Sequence, residues 1–96
     1  MDMLVTYDVS TTDAAGQRRL RRVAKVCEGF GQRVQNSVFE CTLTEAQLEQ
    51  LTDRLQKAID HQHDSLRIYR LRQPRAQFVQ ILGKPLDFDV RDPLVV

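Results

Sequence analysis

The chain has 96 residues, 42% of them hydrophobic and 28% charged, a length that makes one domain with one core and a composition that excludes a wholly disordered chain. Its 14 Lys plus Arg against 13 Asp plus Glu leave a formal net charge of +1, which excludes a simple polycationic tail. No apolar run approaches the roughly 20 residues that span a bilayer.

The opening, Met1 to Tyr7, has neither a basic n-region nor a long apolar h-region, so a secretory signal is not expected. Cys27 and Cys41 are accordingly read as free thiols in the reducing cytoplasm. Residues 3–9, Met-Leu-Val-Thr-Tyr-Asp-Val, are β-branched and aromatic-rich and predict a strand. Ser10-Thr11-Thr12-Asp13 offers N-cap side chains. Leu20, Val23, Ala24 and Cys27 then fall at i, i+3, i+4 and i+7, the stripe of an amphipathic helix with Arg18, Arg22 and Lys25 on its other side. Gly29 and Gly31 close that helix.

Residues 32–43 have strand composition, divided by the turn-like Gln35-Asn36-Ser37 into a short strand and a longer one. Thr44 and Gln47 predict a capping box ahead of a second helix with the stripe Leu48, Leu51, Leu55 and Ala58/Ile59. The polar run Asp60 to Asp64 ends it. Residues 65–72 predict a strand, Pro74 interrupts it, and residues 76–82 predict another, stopped at Gly83-Lys84-Pro85. In residues 86–96, Leu86, Phe88 and Val90 alternate with Asp87, Asp89 and Arg91, the pattern of a half-buried strand. This tail, residues 85–96, is expected to dock on a partner chain.

The order β-α-β-β-α-β with an extra C-terminal strand is the ferredoxin-like arrangement of an α+β domain, here residues 1–84. Side chains alternate faces along a strand. Met3, Val5, Tyr7 and Val9 form the set suited to the helices, and Leu4, Thr6 and Asp8 form the other. Leu4 and Thr6 are too apolar for a central strand left open to water. A homodimer closed over that face is therefore expected.

Charge is segregated along the chain. Residues 66–84 carry Arg67, Arg70, Arg72, Arg75 and Lys84 with no acid, while residues 36–65 are net acidic. A basic face can attract phosphates in a nearly neutral protein, or it can be solvated surface. Asp8, at the end of the first strand, suits a helix cap, a polar strand end, or a hard-metal ligand holding Mg²⁺ with waters and a phosphate. Most strand-end carboxylates are not ligands, and one Asp is a poor site. Two copies of Asp8 across a two-fold axis make a better one. Arg33 offers a planar fork and Ser37 a small donor for phosphate, and each is also an ordinary turn residue. Phe39 belongs in the core unless it faces outward to stack on a base. His61 and His63 lack a third ligand and read as solvated loop. No Walker loop, dinucleotide loop or Ser-His-Asp signature is present.

Leu4-Val5-Thr6-Tyr7-Asp8-Val9, the Arg-rich helix, Gly31-Gln32-Arg33-Val34-Gln35-Asn36-Ser37-Val38-Phe39-Glu40-Cys41 and Ser65-Leu66-Arg67-Ile68-Tyr69 together resemble the small CRISPR-associated protein two family. The resemblance covers residues 3–84. The Gln35 to Cys41 wording and Gly83-Lys84-Pro85-Leu86 look most like members from subtype I-C loci. It implies a ferredoxin-like homodimer that acts in spacer acquisition and bridges dimers of the CRISPR-associated integrase, protein one, on duplex DNA. It also implies a metal-dependent endonuclease acting on single-stranded RNA or duplex DNA, with Mg²⁺ as cofactor. On that resemblance Asp8 matches the metal-binding and catalytic Asp, Arg33 the basic residue before the bend, and Ser37 and Phe39 the Ser-Val-Phe motif. Arg18, Arg19 and Arg22 match only as a basic run, and Lys25 continues their face. A non-catalytic DNA adaptor and a ferredoxin-like RNA-binding module stay as alternatives.

Overall fold

The computed structural model describes residues 1–84. Strand β1 (Asp2–Asp8) leads into helix α1 (Ala14–Glu28), then β2 (Gln32–Gln35), β3 (Val38–Thr42), helix α2 (Glu45–Ala58), β4 (Ser65–Arg70) and a single turn α3 (Arg75–Phe78). The tail beyond residue 84, read from its alternation as a docking strand, lies outside the described residues.

Local chemistry sets the helix ends. The Asp13 carboxylate accepts the Gly16 N–H at 2.8 Å, filling one of the donors that every helix start leaves without a partner. At α2 the Thr44 hydroxyl accepts the Gln47 N–H at 3.2 Å, and the Gln47 side chain accepts the Thr44 N–H at 2.9 Å. This is the capping box expected from the sequence. Gly31 follows α1 where the chain crosses Cys41, and a Cβ there would stand 2.5 Å from the Cys41 sulfur.

The sheet order is β2-β3-β1-β4, with every neighbouring pair antiparallel. This is the ferredoxin-like α+β fold. Register and alternation separate its two faces. Met3, Val5 and Tyr7 share one face with Phe39 and Cys41 of β3 and with Leu66 and Ile68 of β4. Leu51, Leu55 and Ala58 of α2 and Val23 and Cys27 of α1 complete the core on that side. Burial pushes the Cys27 thiol up to about 12 and the Cys41 thiol to about 11, so both are small inert core residues. The opposite face carries Leu4, Thr6, Val38, Glu40, Arg67 and Tyr69, with Arg75 of α3 reaching Glu40 at 3.7 Å.

The expected fifth strand is corrected. Residues 75–78 form a helical turn instead. The Gln73 amide donates to Asp2 at 3.2 Å, and Arg75 lies 3.9 Å from Asp2 and 3.7 Å from Glu40, folding this stretch back on the start of β1. Pro74 presets φ near the helical value, and Ala76 and Gln77 are good helix formers. A strand would need a second strand to receive its backbone hydrogen bonds, and this stretch pairs with none among the described residues. Ile81 and Leu82 beyond it are 79% and 82% exposed.

Several carboxylates are held by the fold. Burial raises Asp64, but its bonds to Arg19 and to the Asp60 and Ser10 amides outweigh that and hold it below the usual range. Hydrogen bonds from Thr42 and Gln73 lower Asp2, and the Gln62 amide and His63 lower Asp60. A carboxylate with a folded pKa below its unfolded value of about 3.9 stabilises fully above that value. The contribution is lost as pH falls through the folded value. The urea midpoint at fixed protein concentration is therefore expected to be flat from about pH 5 upward with respect to these groups and to fall below about pH 4. A midpoint that rises on acidification would contradict these pairings.

Candidate nucleic-acid and metal site

Asp8 is exposed at the end of β1, opposite Ser65 in the register. By alternation it shares the open sheet face with Leu4 and Thr6. Tyr7, one residue earlier, points the other way and is buried. Burial pushes the Tyr7 phenol up to about 12, so it stays protonated and donates to the Asn36 carbonyl at 3.4 Å.

A cleft of about 450 Å³ opens beside that phenol, between α1 and the β2–β3 turn, where Leu20, Lys25, Arg33, Asn36 and Ser37 meet Tyr7. The Tyr7 N–H donates to the Ser37 carbonyl at 3.1 Å, which ties the turn to the end of β1. The structure thus brings Lys25, Arg33 and Ser37 together on the helix side of the sheet and leaves Asp8 on the other.

Arg33 is turned inward and only 6% exposed. One guanidinium nitrogen donates to the Asn36 carbonyl at 2.7 Å, another lies 3.5 Å from Glu28, and the group sits 5.0 Å over the Phe39 ring. The fork expected to receive phosphate braces the hairpin instead. Phe39 is fully buried and does not reach the open face, so the core reading holds for it. Arg19 also leaves the basic run, because its guanidinium pairs with Asp64 at 2.8 Å. Arg18, Arg22 and Lys25 remain exposed on α1, and Arg21 joins them. Of the later arginines, Arg67 donates to the Tyr69 hydroxyl at 3.0 Å and Arg72 lies 5.0 Å over Phe78.

Sequence reasoning missed Asp64 and the pairs made by Arg75. Arg19 and Asp64 stand 45 residues apart, and no local pattern connects them. The available signal was Asp64 itself, an acid directly ahead of a strand in a turn already opened by Asp60.

Among the described residues no three His, Cys, Asp or Glu side chains converge on one metal position. One exposed carboxylate does not make a closed zinc-type site. Mg²⁺ keeps several waters and takes one or two carboxylates plus substrate phosphates, so a single Asp8 would be at most a partial ligand set. No helix among the described residues is long and apolar enough to cross a membrane.

The family model described as CRISPR associated protein Cas2 matches residues 1–78. The CRISPR-associated endoribonuclease Cas2 1 of Moorella thermoacetica is 57% identical over 96 residues, all of both chains. The CRISPR-associated endonuclease Cas2 of Halalkalibacterium halodurans is 48% identical over 95 residues, 99% of each chain. Among solved structures, Streptococcus pyogenes Cas2 superposes with a TM-score of 0.77 at 51% identity, over 86% of this chain and 100% of that one. With the four-stranded ferredoxin-like sheet, the Tyr7-Asp8 strand end and the Ser37-Val38-Phe39 hairpin in place, the chain belongs to the CRISPR-associated Cas2 family.

Proposed function

We propose that the chain works in CRISPR adaptation as a homodimer. Two open sheet faces meet, duplex DNA lies on the basic side of α1, and the dimer bridges two integrase dimers. We also assign it Mg²⁺-dependent endonuclease activity on single-stranded RNA or duplex DNA. The observation that carries this reading is Asp8, an exposed carboxylate on the sheet face that bears Leu4, Thr6, Val38 and Tyr69. Apposition of two such faces removes apolar area from water at about 25 cal/mol per Å² and brings the two Asp8 carboxylates toward one axis.

When bound, Mg²⁺ supplies charge neutralisation at the scissile phosphate and orients a water. The chain's own part is to hold the ion through Asp8 and to hold the substrate backbone through Arg18, Arg21, Arg22 and Lys25. Those four cations lie on one helix and carry no base-reading geometry, so binding is sequence-independent. A second reading, a purely non-catalytic DNA adaptor, is favoured because no three His, Cys, Asp or Glu side chains among the described residues converge beside Asp8.

The test joins assembly to charge. Sedimentation at micromolar concentration is expected to give a dimer, and a stable monomer would sink the reading. Duplex affinity is expected to fall with salt at a log–log slope of about −0.9 per phosphate neutralised. Replacing Arg18, Arg22 and Lys25 by Gln should flatten the slope by about 0.9 for each phosphate contact removed. A salt-independent affinity would remove the basic face from binding.

A further inference from the structure

Asp64 lies directly ahead of β4, and its side chain has no solvent exposure. A carboxylate leaves water at a cost of several kcal/mol unless its oxygens are filled. Here they are filled. Oδ1 accepts the Ser10 N–H at 3.0 Å and Arg19 Nη2 at 3.3 Å. Oδ2 accepts Arg19 Nε at 2.8 Å and the Asp60 N–H at 2.8 Å.

These donors come from three places: the β1–α1 loop, α1, and the α2–β4 turn. Ser10 is two residues past Asp8. Ser65, next to Asp64, is the register partner of Asp8. One carboxylate therefore holds the backbone leaving Asp8 and the strand opposite it. A second restraint acts on the same loop. A Cβ at Gly16 would collide with the Ser10 carbonyl oxygen, so the first turn of α1 is pressed against the Ser10 peptide.

We propose that Asp64, with Arg19 as its counter-charge, is a positioning residue that sets the direction in which Asp8 meets the metal and the scissile phosphate. The inference rests on the reading of Asp8 as a metal ligand. Asp64 offers nothing to a substrate, since it is enclosed, and acts through the Ser10 amide and the β4 start. Groups that orient a ligand act on affinity and turnover, typically by about 10–100-fold. Displacement of a reacting group by about 1 Å has a similar effect. Arg19 gives its fork to this task, which separates it from the phosphate-facing Arg18 and Arg22.

The experiment compares the full-length wild type with Asp64→Asn, Arg19→Lys and Asp8→Asn. Asp64→Asn keeps the size but turns an amide NH₂ toward donors. Arg19→Lys keeps the charge but loses the fork that fixes Asp64 against the Ser10 amide, so it serves if Asp64→Asn fails to fold. Three quantities are read: amide hydrogen exchange at Ser10, Mn²⁺ affinity by titration, and kcat and KM for cleavage. The two clamp variants are expected to exchange Ser10 at least about tenfold faster while the Phe39 and Cys41 amides are unchanged. They should bind Mn²⁺ about 10–100-fold more weakly and lose kcat at unchanged KM. If Asp8→Asn loses Mn²⁺ while both clamp variants bind it like wild type, the positioning role is overturned and the Asp8 reading stands. If Asp8→Asn binds Mn²⁺ like wild type, the Asp8 reading falls and the positioning role falls with it.

Discussion

Asp8→Asn is expected to lower Mg²⁺-dependent cleavage by on the order of 10²-fold or more while the protein stays folded and dimeric. The carboxylate is exposed at a strand end, so its neutral isostere leaves core and register intact. Surface changes of this kind stay within about 0.5 kcal/mol of wild-type stability. The loss should appear in kcat, because Asp8 would hold an ion whose charge matters most in the transition state, and duplex affinity should hold. Cleavage at the wild-type rate in the variant would remove Asp8 from the site. A wild type that never cleaves, and that binds duplex equally with and without Asp8, would leave the adaptor reading in its place.

Phe39→Ala is expected to have the largest effect on stability, about 3–5 kcal/mol. The ring is fully buried, stacks with Tyr7 at 6.3 Å between centroids, and lies under the Arg33 guanidinium at 5.0 Å. Truncation leaves a cavity and strips a buried cation of its apolar floor. A domain of this size has only about 5–15 kcal/mol in total, so the thermal midpoint should drop by roughly 15 °C or more at fixed protein concentration. The expectation also separates two roles for this residue. Unchanged stability with weaker RNA binding would make Phe39 a base-stacking platform, contrary to its burial.

The elements themselves were legible because each has a short-range cause. The Thr44 to Gln47 capping box spans three residues. The Val23 and Cys27 stripe repeats with the helix, and the Met3, Val5 and Tyr7 set alternates with the strand. The α1 cap lies within the run Ser10 to Asp13 that the sequence offers, and the structure selects Asp13. The strand misread at residues 76–82 shows the limit of that kind of signal. The apolar, β-branched and aromatic composition there suits a strand, but a strand exists only where another strand receives its hydrogen bonds. Tethers from Gln73 and Arg75 to Asp2 decided the local path instead.

The site divides in the same way. Asp8 at a strand end and the exposed Arg18, Arg22 and Lys25 follow from strand parity and helix phase, both properties of the sequence by itself. Which arginines face water does not. Arg19 and Arg33 have the same chemistry as their neighbours and sit in equally basic or polar segments. Asp64, 45 residues from Arg19, and the Phe39 ring with the Asn36 carbonyl around Arg33 draw those two inward. A guanidinium goes wherever a carboxylate or carbonyl fills its fork, and only the folded chain brings those acceptors within 3 Å. Sequence thus determined the order of elements, the two faces of β1 and the candidate carboxylate. Tertiary structure decided which cations stay exposed on α1 and which turn inward to an acceptor.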